Sequence, residues 1–195
     1  MKNRNLNHKD DWQTPPEYMA MLNREFDFNF DPCPYQHNIA LWDGLAIDWK
    51  ERNFINPPYS RNLKEAFVFK AVEQSRMGKL CVCLLPVSTS TKLFHNYILP
   101  YSTQVRFLYG RVKFIGVNAK GEPVKNKTGQ HDSMLITFDG REPAGNPVLT
   151  SPKPHCWGKM NWILQYEEGK EPESSICRCE HGAFECKNLT RQINK

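Results

Sequence analysis

No stretch of this sequence is apolar for long enough to cross a bilayer. The longest mostly apolar run, residues 80–87, stops far short of the ~20 residues that a spanning helix needs. Residues 1–11 are polar and lack the apolar core of a signal peptide, so no export signal is expected. The seven cysteines are odd in number and form no hairpin-like framework. Without export they read as reduced thiols or metal ligands of a cytosolic protein rather than as disulfides. No internal repeat is present. On this reading the secreted and membrane classes are excluded and a cytoplasmic location is expected.

What is present is one domain's worth of chain with a small appendage. The 195 residues are 39% hydrophobic, enough for a core and too much for wholesale disorder. The formal charge of +5 has a single source. Residues 101–131 hold six basic residues (Arg106, Arg111, Lys113, Lys120, Lys125 and Lys127) against one acid, Glu122, and the rest of the chain is balanced. A local basic surface suits a polyanion; the plain alternative is a solvated loop.

Thr14-Pro15-Pro16-Glu17 reads as a capping box, with Thr14 as N-cap, Pro15 at the first helical position and Glu17 at the third. The helix that follows should turn Tyr18, Met21 and Leu22 inward. Phe26, Phe28 and Phe30 alternate with polar residues, a strand pattern that stops at Asp31-Pro32-Cys33-Pro34. Residues 52–55 predict a short strand ending at Asn56-Pro57-Pro58-Tyr59. Leu63, Ala66, Phe67 and Ala71 share a helical face, and Gly78 stops that helix. Residues 79–86 have the continuous apolar character of a strand buried on both faces. A short helix over 91–99 follows, then two strands, 104–109 and 111–115, joined near Gly110. A basic loop over 116–131 leads to a last strand over 133–138. Strands alternating with helices predict an α/β sandwich around a mainly parallel sheet. After Asp139 the composition shifts to Pro, Gly and Glu, so the domain is set at 10–139 and residues 140–195 are taken as an irregular peripheral extension.

Asn56-Pro57-Pro58-Tyr59 follows a strand directly, at the end where parallel sheets place ligands. The two prolines fix their φ angles and bring no N–H groups. The corner therefore presents acceptors, the Asn56 side-chain oxygen and the Pro57 carbonyl, beside the flat face of Tyr59. Two converging acceptors and an aromatic plate suit an exocyclic amine on a planar base. The lone pair of such an amine is delocalised into the ring, and accepting both N–H hydrogens frees it to attack. A rigid Pro-Pro turn with Tyr59 packed on it is the structural alternative.

Other segments join this one in order: Asp11-Trp12-x-Thr14-Pro15-Pro16, Asp31-Pro32-Cys33, Asp43-Gly44-Leu45 with Asp48-Trp49, and Phe107-x-x-Gly110-Arg111-x-Lys113-Phe114. As a set they resemble the compact, phage-type DNA N6-adenine methyltransferase family (often called Dam-like), over about residues 10–138. The resemblance implies a Rossmann-like three-layer sandwich of the S-adenosylmethionine-dependent methyltransferase type. It implies methyl transfer from S-adenosyl-L-methionine to adenine N6 in double-stranded DNA. A monomer or weak dimer is expected. The biological role it implies is modification of phage DNA against host restriction.

The resemblance also assigns roles. Asn56, Pro57, Pro58 and Tyr59 are the catalytic corner. Thr14 and Pro15 meet the methionine part of the cofactor, where free N–H groups at a helix start would seat a carboxylate; Thr14 and Glu17 as mere helix caps are the alternative. Asp31, Pro32 and Cys33 border the cofactor, although the glycine-containing motif of related enzymes is missing there; a turn-initiating Asx-Pro is the other reading. Asp48 corresponds to the acid that receives the amino group of the cofactor's adenine, against a solvated loop acid. Arg111, Lys113 and Phe114 lie near the target nucleotide, with Phe114 as a stacking partner; a charge-protected edge strand is the alternative. Apart from the resemblance, the basic segment itself offers Lys125 and Lys127 as phosphate contacts. Ser88 stands where relatives tend to carry Arg.

Other acceptors open to the same fold are an RNA base, cytosine N4 and a protein glutamine amide, and a non-catalytic nucleic-acid-binding module is the other functional class. The basic segment favours nucleic acid over protein, and Asn56 rather than Ser or Thr favours adenine over cytosine. In the tail, Cys177, Cys179, His181 and Cys186 could form a Cys₃His zinc site, but the spacing is not that of a C-x-x-C knuckle, and reduced thiols are the preferred reading.

Overall fold

The chain folds in the order β1 (Trp12–Gln13), α1 (Pro16–Phe26), β2 (Arg52–Ile55), α2 (Arg61–Ser75), β3 (Leu80–Pro86), a π-helical turn (Phe94–Ile98), α3 (Leu99–Tyr101), β4 (Gln104–Phe107), β5 (Ile115–Val117), β6 (Pro123–Val124), β7 (Ser133–Asp139) and β8 (Val148–Thr150). This computed structural model describes residues 12–38, 40–117, 122–124 and 131–150. All lie within the unit Met1–Pro152; a second unit, Lys153–Lys195, is outside the described residues.

Five strands form one sheet in the order β2-β3-β7-β4-β8, and three form another, β1-β5-β6. In the larger sheet β2, β3, β4 and β8 share a direction, while β7 runs antiparallel to both of its neighbours. The fold is mixed α/β, with a reversed strand that the expectation of a mainly parallel sheet did not contain.

Strand β3 is buried along its whole length. Its side chains alternate between the two faces of the sheet. Cys81, Cys83 and Leu85 pack with Phe67, Val68, Ala71 and Val72 of α2. Leu80, Val82 and Leu84 pack with Leu22 and Phe26 of α1. Gly78, at φ 85, turns the chain out of the α2 region and into β3, as its position in the sequence suggested.

Several local expectations are corrected. Helix α1 is not capped by Thr14: its N-cap is Pro15, at φ −53 and ψ 136, and no side chain caps it. The reason is Pro16, whose ring pushes the preceding residue out of the α region. Phe26 closes α1 instead of opening a strand, and Asp27 leaves the helix in the left-handed region at φ 49. The expected strand then shrinks to one bridge, Phe30 to Asn53. Polar side chains occupy the backbone groups on either side: the Phe28 amide donates to Asn23 Oδ1 and the Arg52 amide to Asn29 Oδ1.

The 104–109 and 111–115 segments do not pair. Strand β4 lies between β7 and β8, whereas β5 pairs with β1 and β6. Gly110, at φ 73, redirects the chain between the two sheets. The helix expected over 91–99 has its π turn at Phe94–Ile98, and Thr91 starts it, with Oγ1 accepting from the Phe94 amide. Strand β7 is not the last: β8 pairs with β4 beyond the boundary expected after Asp139.

Candidate active site

The Asn56-Pro57-Pro58-Tyr59 corner leaves the end of β2 with both prolines buried and Asn56 and Tyr59 partly open. The Asn56 carboxamide is held at both ends. Its Nδ2 donates to the Trp12 carbonyl at 2.8 Å, and its Oδ1 accepts from the Tyr59 hydroxyl at 3.2 Å. That hydroxyl also reaches the Leu84 carbonyl at 3.4 Å. Burial pushes the Tyr59 phenol above its ordinary pKa, which keeps it a donor. The Phe114 ring meets the Tyr59 ring edge-on, with centroids 6.1 Å apart.

Asn56 forms part of the wall of a cavity of about 570 Å³. Trp12, Gln13 and Thr14 supply one side, and Asp31, Cys33, Pro34 and Tyr35 another, with Phe54 beside Asn56. Helix α1 lines it with Pro16, Met19, Ala20 and Asn23, which share a face because they sit three and four residues apart. The cavity lies at the carboxyl end of β2, where Asn56 follows the strand, and beside Asp31, which follows the Phe30 bridge.

Three polar groups mark this cavity. Thr14 is 7% exposed, and its Oγ1 has no hydrogen-bond partner among the described residues. Released from capping, this hydroxyl is a buried polar atom of the kind that ordinarily finds a partner. The second is Asp31, whose carboxyl burial pushes up to about 6, while the Cys33 amide, donating to Oδ1 at 2.9 Å, pulls it back. The third is the Cys33 thiol, pushed well above its ordinary value by burial first and the Asp31 charge second; the backbone N–H of Asn56 donates to its sulfur. The Asp31 loop and the Asn56 corner therefore touch. Gly44 places this loop, since a Cβ there would lie 1.8 Å from the Pro32 carbonyl oxygen.

Not every expected residue reaches the cavity. Pro15 and Pro32 are buried beside it without lining it. Asp48 is exposed and accepts a 3.4 Å bond from Gln74, and it too is absent from the lining. Its neighbour Trp49 is a core residue that donates to the Gly44 carbonyl. Arg111 and Lys113 are exposed, with Arg111 paired to Asp132 at 3.0 Å. Lys125, Lys127 and the Cys177, Cys179, His181 and Cys186 cluster lie outside the described residues. Among the described residues no group of three or more His, Cys, Asp or Glu could hold a metal. Gln13, Met19, Asn23, Tyr35 and Phe54 were not foreseen. The spacing of positions 16, 19, 20 and 23 was the available signal for the α1 wall; Tyr35 had none.

The chain matches the model of the family described as DNA N-6-adenine-methyltransferase (Dam) over residues 2–147. The chain belongs to this family. The matched span contains every residue that lines the cavity. As a Dam-family protein it is a transferase, with methylation of adenine N6 as its activity in general and DNA as its substrate. Comparison with curated proteins and with solved structures found no match. Among the described residues no helix is long and apolar enough to cross a membrane.

Proposed function

We propose that this protein moves a methyl group from S-adenosyl-L-methionine to the N6 amine of adenine in double-stranded DNA, by way of the Asn56 corner. One observation carries the proposal: Asn56 shares a cavity wall with Thr14, whose buried hydroxyl has no partner among the described residues, and with the partly buried Asp31. The donor set fits the cofactor. Asp31, when ionised, attracts the ammonium of its methionine part, and Thr14 Oγ1 supplies a missing hydrogen-bond partner. Met19 and Phe54 offer apolar walls. Pro15, Pro32 and Cys33 shape the same border, and Asp48 is assigned to the cofactor's adenine on the family resemblance alone.

When bound, S-adenosylmethionine would supply an electrophilic methyl carbon on a sulfonium sulfur, the S–C bond breaking to leave a neutral thioether as the N–C bond forms. The protein's part is to present the amine. Asn56 Oδ1 and the Pro57 carbonyl accept its two N–H hydrogens, which turns the nitrogen lone pair away from the ring and towards the methyl carbon. Alignment supplies much of the rate. Both acceptors are neutral amide oxygens, so the surplus amine proton departs to solvent after the new N–C bond has formed. Because the amine is buried in a base pair, the adenine must leave the stack, and Tyr59 and Phe114 are assigned to stack on it, a role their edge-to-face contact beside Asn56 supports. Arg111 and Lys113, with Lys125 and Lys127, serve as phosphate contacts.

The architecture supports a Rossmann-like three-layer sandwich, with α1 packed on one face of the large sheet and α2 on the other. The biological role that fits is protection of phage DNA from host restriction, inside the bacterial cell. The test is to incubate purified protein with labelled cofactor and unmethylated duplex DNA, and to analyse the nucleosides by mass spectrometry. N6-methyladenine is expected; label in cytosine or RNA, or none at all, overturns the proposal.

A further inference from the structure

The amide of Asn56 is useful only one way round. Turned by 180°, it would aim an N–H group at an amine that needs an acceptor. Of its two partners, the Tyr59 hydroxyl cannot choose between these orientations, because a hydroxyl both donates and accepts. The Trp12 carbonyl can, because it only accepts. At 2.8 Å it holds Nδ2 and would repel Oδ1. The choice is therefore made by the main chain of a residue 44 positions away.

Trp12 is held in turn by a separate piece of structure. Strand β1 belongs to the small sheet, not to the large sheet that carries β2. Its two residues pair with β5, Trp12 opposite Gly116 and Gln13 opposite Ile115. Phe114, one residue before β5, gives the corner a second contact through the Tyr59 ring. Both ties between the corner and the β5 region run to groups the chemistry uses.

We propose that the Trp12 carbonyl is a positioning group that keeps Asn56 with its acceptor outward, and that the β1–β5 pairing makes methyl transfer depend on the small sheet. This rests on the adenine-methyltransferase reading above. Neither Trp12 nor β5 touches the reacting atoms in this scheme; they act through Asn56.

The test compares kcat at saturating DNA and cofactor. In Asn56→Asp, an ionised carboxylate has no donor for the Trp12 carbonyl, whereas the protonated acid donates its O–H there and leaves its C=O outward. Other titratable groups around this position are Asp31 and Cys33 from the adjoining loop, Tyr18 from α1 and Tyr59 from the corner, with Arg111 and Lys113 in the segment before β5. All are shared with the wild type, so the variant to wild-type ratio isolates the new carboxyl. That ratio should rise as pH is lowered from about 8 to about 6, by about tenfold per unit while the acid is mostly ionised. A ratio that is flat, or that falls in acid, overturns the proposal.

A second variant, Gly116→Pro, puts a residue that cannot serve a central strand opposite Trp12. In folded protein kcat should fall by about tenfold, the scale of one lost hydrogen bond at the transition state, with cofactor affinity unchanged. An undiminished kcat overturns the proposal. If this variant does not fold, the Asn56→Asp ratio decides alone. Wild-type protein that makes no N6-methyladenine sinks the adenine-methyltransferase reading itself, whereas an active wild type with a flat ratio sinks only the role of Trp12.

Discussion

The two sheets of this protein are held by different means. The large sheet is built on side-chain burial: β3 and all but the last residue of β7 are fully buried, and helices cover both faces. The small sheet has strands of two or three residues; its β1 lines the cavity with Trp12 and Gln13 and holds Asn56 through the Trp12 carbonyl, and Phe114, just before β5, meets the Tyr59 ring. A ladder that short is marginal by itself. The difference teaches where stability and activity part: the large sheet keeps the chain folded, and the small one sets the orientation of a single amide.

The sharpest way to break that division is to damage each side and see which property fails. Leu84→Ala removes a side chain with no exposure at the middle of β3 and should cost about 2–5 kcal/mol, read as a lower thermal midpoint. Asn56→Ala should do the reverse: about a 100-fold or greater loss of methyl transfer, the scale for one positioned polar group, with the midpoint little changed. If Asn56→Ala unfolds the protein, or Leu84→Ala leaves its stability intact, the division does not hold.

Gly44→Ala lies between these extremes. The added methyl collides with the Pro32 carbonyl, so the Asp31 loop must move, at about 1–3 kcal/mol and with weaker cofactor binding by calorimetry. Asp31 sharpens the comparison through pH. Its carboxyl is raised from 3.8 to about 6 by burial. Between those values the folded chain holds a proton that the unfolded chain releases, so this group favours folding in acid and opposes it once pH passes about 6. Asp31→Asn should therefore gain stability relative to wild type above about pH 6, and the gain should fade as pH falls towards 4. Cofactor binding by the wild type should run the other way, weakening below about pH 6 as the carboxylate is neutralised. The smallest effect is expected at Lys113→Ala, a lowering of the salt slope of DNA binding by about one. An unchanged slope removes Lys113 from the interface.

Much of this was readable in the residues. β3 was legible because a continuous apolar run between a glycine stop and a proline has few other solutions. β2 and the corner after it were legible because two adjacent prolines end a strand and remove donors. Three features were not. Thr14 reads as a cap by residue type, yet Pro16 moves the cap to Pro15 and leaves the Thr14 hydroxyl buried without a partner among the described residues, on a residue of the cavity wall. The phenylalanine alternation after residue 25 reads as a strand, yet Asn23 and Asn29 take the backbone groups that a ladder would use. The place of Asp48, exposed beside Gln74 and outside the cavity wall, is not encoded in its spacing from Asn56.

Local chemistry alone determined the rigid acceptor corner, the buried strand and the basic segment, because proline geometry, apolar runs and charge act over a few residues. Tertiary structure alone decided that β7 reverses between β3 and β4, that Thr14 faces a cavity with Asp31 and Asn56, and that Trp12 orients the Asn56 amide. Those facts depend on groups brought together across tens of residues, and no pattern within a short window encodes which backbone carbonyl a distant amide will meet.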